Sequence, residues 1–460
     1  MTTDRTDGVS HVLSGGGGTE SGGDEVQQIS LALNDPEDLA TKLMEQVCER
    51  ANLNQAYKRV KANKGAAGVD GMTVKELRTW IREHSSELLK SLLTGNYQPQ
   101  PVREVEIPKP GKRNEKRKLG IPTALDRVIQ QALHQVLEPI FDPTFSESSY
   151  GFRPGRSAHD ALKRARAYVD SGHDWVVDMD LEQFFDRVNH DVLMSRVARK
   201  VKDKRVLKLI RRYLEAGIMR NGIGIRRHKG TPQGGPLSPL LSNILLDELD
   251  GELEKRGHKF CRYADDQNIY VRSKRAGERV YASIKSFLEK RLKLKVNDRK
   301  SAVGRPWERK FLGYCIDSEN RLLVSPESLA RAKAKIRQLT QKSRGMSFTR
   351  VIGELNVFLR GWFNYYQLSW RKSLWRELDG WIRRKLRCYK LKEKKRGATV
   401  ASYLMSLGVP ETPARQTGSS GKGWWRLSRT RAVHRALSIN WFDQQNLTRL
   451  EQLSETLLKA

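Results

Sequence analysis

Two adjacent aspartates, Asp265 and Asp266, lie within Phe260-Cys261-Arg262-Tyr263-Ala264-Asp265-Asp266-Gln267-Asn268-Ile269-Tyr270-Val271. The flanking residues are aromatic or β-branched, so they read as two short strands with the acid pair at the bend. Standing alone, such a pair makes no more than a polar turn. Upstream, Asp174-Trp175-Val176-Val177-Asp178-Met179-Asp180 ends an apolar strand with acids on alternate positions, which puts Asp178 and Asp180 on one face. If the two elements share a sheet, three carboxylates converge, and a divalent cation offsets their repulsion best. Three carboxylates holding hard cations through oxygen suit two-metal phosphoryl transfer. One ion activates a 3′-hydroxyl while the other holds a triphosphate and its leaving group.

Other segments have the composition to position a nucleotide around these acids. Val102 to Pro108 reads as a strand, Lys109 to Arg117 as a basic hairpin loop, and Lys118 to Pro122 as the return strand. Basic side chains there suit clamping a triphosphate, although a solvated turn has the same composition. Ser149-Tyr-Gly-Phe-Arg-Pro-Gly-Arg-Ser157 precedes a helix starting near Ala158. Its Arg153 and Arg156 suit the phosphates of a template backbone, with an aromatic of the loop near a base, or the loop is a packed turn. Phe185, five residues past Asp180, could stack under a sugar and exclude a 2′-hydroxyl; core packing is the alternative for any Phe. In Lys229-Gly-Thr-Pro-Gln-Gly-Gly-Pro-Leu-Ser-Pro239, glycines allow close backbone approach and Gln233 can hydrogen-bond an arriving nucleotide. No Walker loop, zinc-protease helix or nucleophile elbow competes with this set.

Composition narrows the partners. A net charge of +32 over 460 residues exceeds what solubility needs and implies a polyanion. Basic residues spread through aromatic-containing segments favour nucleic acid over a membrane surface. Residues 1–40 carry net −7 and residues 327–460 net +19, so both large segments of the remainder should touch the polyanion. No run of eighteen apolar residues and no basic-then-apolar N-terminus is present, which argues against a membrane span or secretory signal. Cys48, Cys261, Cys315 and Cys388 lack paired ligand spacing and read as reduced packing residues of a cytosolic protein.

Along the chain, residues 1–36 are an acidic, Gly/Ser-rich leader expected to be disordered. A helix is expected from Asp38 to Ala56, with Leu39, Leu43, Val47 and Ala51 on one stripe, then further helices from Val74 and over Asp126 to Leu137. Beyond residue 326 the helices are aromatic and basic. Leu355, Phe358, Leu359, Trp362, Phe363 and Tyr366 recur at helical spacing, as a core face does. The run Arg383-Arg384-Lys385, Arg387 and Lys390 to Arg396 would repel itself strongly without a polyanion.

Six blocks in order carry a resemblance. These are Ile121-Pro122-Thr123, Gly151-Phe152-Arg153, Asp180 with Phe184-Phe185-Asp186, Thr231 to Pro236, Tyr263-Ala264-Asp265-Asp266, and Phe311-Leu312-Gly313-Tyr314. They resemble the reverse-transcriptase blocks of group II intron-encoded proteins, over about Ala51 to Ile439. The resemblance implies an α+β fold: a right-hand polymerase with fingers and an antiparallel palm sheet within residues 37–326, an α-helical thumb and maturase domain over 327–400, and a basic DNA-binding tail over 401–460.

It further implies Asp180, Asp265 and Asp266 as the triad around two Mg²⁺, with the Leu181 carbonyl joining the metal shell. Phe185 would be the sugar gate; Gln233 and Gly234 would belong to the dNTP pocket. Arg117 would hold the triphosphate together with Lys109 or Lys112, a choice left open because this loop is longer and more basic than the usual pattern. Lys300 would protonate departing pyrophosphate, and Phe311 to Tyr314 would be the primer grip. Arg383, Arg384, Lys385 and Arg387 fall in the region that grips intron RNA. The expected partners are group II intron RNA, an RNA template with DNA primer, and target DNA, in a nucleoid-associated ribonucleoprotein of the bacterial cytoplasm. About twenty residues follow Asn440 without a His/Asn/Cys cluster, which points to the endonuclease-lacking, class C-like lineages. Rival readings are an RNA-copying RNA polymerase, which Phe185 disfavours, a splicing-only maturase, and a reverse transcriptase domesticated for host defence. Nothing in the sequence sets an oligomeric state.

Overall fold

The computed structural model describes residues 41–108, 116–220, 223–225, 228–231 and 234–459. The leader, Lys109, Lys112 and Gln233 lie outside the described residues.

The first helical stretch is divided. Helices Leu43–Cys48 and Arg50–Ala62 are separated by Glu49, whose ψ of 132° is extended. The break resets the helical phase: Leu43 and Val47 are buried as expected, but Ala51 is exposed and the inward stripe continues through Ala56 and Val60. Helix Val74–Leu93 starts on a Thr73–Glu76 capping box, in which each side chain satisfies the other's backbone N–H. Strands β1 (Val102–Pro108) and β2 (Lys116–Ile121) form the expected hairpin, with Ile107 opposite Arg117. Helix Ala124–Phe141 follows, capped by Thr123.

The palm sheet is built from β3 (Trp175–Met179) with three later strands. Short β4 (Ile218–Arg220) and β5 (Ile223–Ile225) complete the first sheet in the order β2-β1-β4-β5. Strands β6 (Lys259–Tyr263), β7 (Asp266–Val271) and β8 (Ala302–Gly304) then join β3 in the order β6-β7-β3-β8, all antiparallel. The β3–β7 register pairs Asp178 with Asn268, and continuing it brings Asp180 opposite Asp266. The β3–β8 register, continued likewise, brings Lys300 to the other side of Asp180.

Strand alternation gives the sheet two working faces. Val177, Met179, Phe260, Ile269 and Val271 point into one apolar core with helices Ser238–Lys255 and Lys274–Arg291. Val176, Cys261 and Tyr270 point into a second core, shared with helix Ala158–Asp170 and with the C-terminal helices Phe348–Tyr366 and Ser373–Lys394. Asp178, Asp180 and Asp266 alternate with the first set, so they lie on the second face. Strands β9 (Tyr314–Ile316) and β10 (Leu322–Val324) form a separate hairpin, and among the described residues every element from Pro326 on is a helix. Of the aromatic stripe, Leu355, Leu359, Phe363 and Tyr366 are buried, as the helical spacing predicts.

Candidate active site

The acid pair sits on a two-residue turn, Ala264-Asp265, closed by the Tyr263–Asp266 pair. Ala264 adopts φ +59°, the left-handed region that such hairpins demand of their first turn residue and that usually selects glycine. A Cβ there costs on the order of 1 kcal/mol, so the surroundings must hold the turn.

Arg262 does much of this. Its side chain is fully buried in an ion pair with Asp250, Nη2 to Oδ2 at 2.5 Å. Nη1 donates to Asn243 Oδ1 at 2.9 Å and to the Ala264 carbonyl at 3.0 Å, and Nη2 donates to Ser149 Oγ at 2.8 Å. One guanidinium therefore ties the turn to helix Ser238–Lys255 and to the Ser149 loop. From the other side Gly151 abuts the turn so closely that a Cβ would stand 2.3 Å from the Ala264 nitrogen.

Around this turn the carboxylates are crowded. Burial pushes Asp178 up to about 6, Arg309 partly offsetting it and Asp180 adding to it. Asp266 keeps solvent contact on one side, yet the protein massed on its other sides strips its hydration; with Asp178, Asp265 and Asp180 nearby, it is pushed up to about 7. Asp265 is raised as well, by burial first and then by Asp180, with Arg117 and Lys300 opposing. Asp180 carries a close ammonium: Lys300 Nζ lies 3.1 and 3.2 Å from its two oxygens. The strand end beneath is pinned by Ser301 Oγ, which accepts from the Asp180 N–H at 2.9 Å, and by the Asn297 N–H, which donates to the Asp180 carbonyl at 2.8 Å. Leu181 bridges to Val296. Asp178 faces Arg309 at 3.4 Å, so the two acids of β3 have different neighbours.

The donor set fits a hard divalent cation, since its oxygens repel one another and lack sufficient protein cations. Among the described residues, however, no three His, Cys, Asp or Glu side chains stand together as a finished metal site. Lys300 Nζ contacts both oxygens of Asp180.

Beside the acids opens a cleft of about 520 Å³, lined by Arg117, Phe152, Phe185, Gly234 and Gly235 among others. Three residues expected to hold a nucleotide thus meet there. Phe185 is half-buried with its ring edge-on to Phe184, at 5.2 Å between centroids. Gly234 has φ +125°, and a Cβ would lie 2.8 Å from the Gly120 carbonyl oxygen, so only glycine lets this loop reach β2.

Two RNA-contact expectations are corrected. Arg153 is buried: its guanidinium donates to Asp142 Oδ1 at 2.7 Å and to the carbonyls of Asp142, Ser146 and Ser149. Its donors are consumed in shaping its own loop, leaving none for phosphate. Arg387 is also interior, donating from Nε to the Leu437 carbonyl at 2.9 Å, and burial lowers it to about 10. It faces the C-terminal segment because it follows the buried Leu386 on the inward side of its helix.

The remaining four stay nearer the surface. Arg156 pairs with Glu147 at 2.6 Å. Arg384 lies 3.6 Å from the Trp425 ring centre and Lys385 4.7 Å from the same ring. Arg383, half-buried, is lowered by desolvation despite Asp379. The sequence put an aromatic of this loop near a base without singling out Phe152, and it missed the Arg262–Asp250 pair. A charge inside the apolar strand Phe260 to Tyr263, and an acid on the apolar face Leu246-Leu249-Leu253, were the available signals for the pair.

Comparison with known proteins bears on this site. Residues 107–316 match the family described as reverse transcriptase (RNA-dependent DNA polymerase), and residues 329–405 match the group II intron, maturase-specific domain. Protein YkfC of Escherichia coli is 33% identical over 312 residues, 59% of this chain and 81% of that protein. The group II intron-encoded protein LtrA of Lactococcus lactis is 39% identical over 214 residues, 46% of this chain but only 35% of LtrA. Nuclear intron maturase 1, mitochondrial, of Arabidopsis thaliana is 28% identical over 204 residues, 33% of this chain and 29% of that protein.

Proposed function

We propose a function from one premise: this chain belongs to the family of group II intron-encoded reverse transcriptases that carry a maturase domain. It copies RNA into DNA at the carboxylate end of the palm sheet, and it binds its own intron RNA through the basic C-terminal helices to promote splicing and retrohoming. The observation that carries the polymerase half is the meeting of crowded acids from β3 and the β6–β7 turn beside a cleft holding Arg117, Phe185 and Gly234.

Two Mg²⁺ would be held by Asp180, Asp265 and Asp266 with the Leu181 carbonyl, and would supply activation of the primer 3′-hydroxyl and charge neutralisation of the triphosphate. The chain's own residues do the rest. Arg117 clamps the triphosphate of a dNTP from the fingers hairpin, and the Phe185 ring leaves no room for a 2′-hydroxyl. Lys300, beside Asp180, gives its proton to the departing pyrophosphate. The tight Gly234 loop fixes the floor of the cleft. An RNA template with its DNA primer, target DNA and a ribonucleoprotein of the bacterial nucleoid complete the reading. Among the described residues no helix is long and apolar enough to cross a membrane.

The test is primer extension on an RNA template by Asp265→Ala/Asp266→Ala. Extension should vanish while intron RNA binding stays within about twofold, because the RNA-contacting helices lie outside the acid turn. Wild-type-like extension by the double variant removes the polymerase assignment. Splicing assays with and without dNTPs separate this reading from a splicing-only maturase.

A further inference from the structure

Phe152 turns to solvent between two buried neighbours, Gly151 and Arg153, and both of those neighbours are fixed. The Tyr150 N–H donates to the Arg262 carbonyl at 2.8 Å, and Tyr150 is buried. Gly151 packs on the Ala264 nitrogen and accepts at its carbonyl from Asn243 Nδ2 at 2.9 Å. On the far side Arg153 is fastened to Asp142, Ser146 and Ser149. Between these anchors Phe152 has φ +59°, a region that bulky residues avoid, and the residue remains 48% exposed. A strained backbone carrying an apolar ring into water stabilises nothing in the free protein, and strain of this kind collects where a ligand is gripped. Its backbone is held from both sides, and the residue lines the same cleft as Phe185, Arg117 and Gly234.

Its place within that cleft narrows the ligand. Through Gly151 it adjoins the Ala264–Asp265 turn, the end where the reacting phosphate and sugar must lie. Arg117 belongs to β2, at the end suited to the outer phosphates. We infer that Phe152 is a second wall of the nucleotide site: its ring packs on the apolar face of the bound deoxynucleoside sugar, across the cleft from Phe185. This rests on the polymerase reading and extends it to a residue that sets nucleotide affinity and sugar choice. Losing an apolar contact of this size costs about tenfold in discrimination or affinity.

Single-nucleotide incorporation by the full chain tests it, with Phe152→Ala and Phe152→Gly beside wild type. Both variants should raise KM for dNTP about tenfold with kcat within about threefold, and both should accept rNTP more readily relative to dNTP. Because glycine tolerates the left-handed conformation, Phe152→Gly should melt at or above the wild-type temperature while still carrying the raised KM. Unchanged KM in both variants overturns the inference, as does a KM increase that appears only together with a lower melting temperature in Phe152→Gly. A raised KM for primer–template with dNTP KM unchanged assigns the ring to the template strand and overturns it equally. A wild type that incorporates nothing overturns the polymerase reading and this inference together; a competent wild type with indistinguishable variants overturns this inference alone.

Discussion

The acid end of the palm and the basic C-terminal helices carry opposite versions of one imbalance. Around the β6–β7 turn, Asp178, Asp265 and Asp266 all hold protons more tightly than free carboxylates, because burial and one another disfavour their charge. On helix Ser373–Lys394, Arg383, Arg384 and Lys385 all hold protons less tightly than usual, because of burial and neighbouring cations. Where charge serves only the fold, the protein pairs it, as Arg262 pairs with Asp250. Where it leaves like charges crowded, the proposed function brings the missing counter-charge from outside: divalent cations at one end and a polyanion at the other.

The largest way to break this contrast is to neutralise the acid side. Asp265→Asn/Asp266→Asn should cut extension at least about 10³-fold, the scale of removing charge stabilisation from a reaction centre, yet raise the melting temperature measured without Mg²⁺. A melting temperature that falls would mean that the acids are not in conflict.

Next comes the paired charge. Arg262→Leu should destabilise by about 3–5 kcal/mol, because Asp250 is left buried alone. Adding Asp250→Leu should recover most of that stability in denaturant titration while extension stays low, since nothing then holds the Ala264 carbonyl. Recovery of rate along with stability would show that the pair does not position the turn.

The third effect is in pH. Asp178 and Asp266 stand at about 6 and about 7 in the fold against an ordinary 3.8, so the native state binds more protons than the unfolded chain between those values. Their contribution to stability is therefore complete below pH 3.8 and lost as pH rises through about 6 to 7. Without Mg²⁺ this component of the melting temperature should decline from pH 5 to pH 8, and Mg²⁺ at pH 8 should restore it. Asp266→Asn should flatten the decline; an unchanged slope in that variant would assign the effect elsewhere.

The smallest effect belongs to the basic side. Arg384→Gln/Lys385→Gln should shallow the dependence of log K on log salt for intron RNA by about 1.5 to 2, one phosphate for each lost cation. An unaltered slope would mean that these two cations serve only Trp425.

Much of the site was legible because strand alternation is strict. Asp178 and Asp180 two residues apart, and an acid pair between two β-rich runs, leave few ways to arrange a sheet. The Gly-rich loop and the basic hairpin were legible for a similar reason: close approach and turns require particular residues. Buried arginines were not. Arg153 and Arg387 read as nucleic-acid contacts because a cation in a loop or a basic run looks the same whether its acceptors are phosphates or backbone carbonyls. Three-dimensional carbonyl placement decides the matter, and sequence spacing does not carry it. Phe152 was not told apart from Tyr150 for a related reason: its significance lies in a positive φ and in the fixing of both neighbours, neither of which sequence announces.

The second apolar core has a practical consequence. Val176, Cys261 and Tyr270 of the palm share an uninterrupted interior with Leu355, Leu359 and Trp375 of the C-terminal half, and the Tyr365 carbonyl accepts from both the Tyr314 hydroxyl and His159. A chain cut near residue 326 would strip the back of the sheet that carries the acids and leave its Val, Cys and Tyr side chains in water. The copying half is thus not a detachable module, and whatever seats itself on the distal helices presses on the same foundation that supports the chemistry.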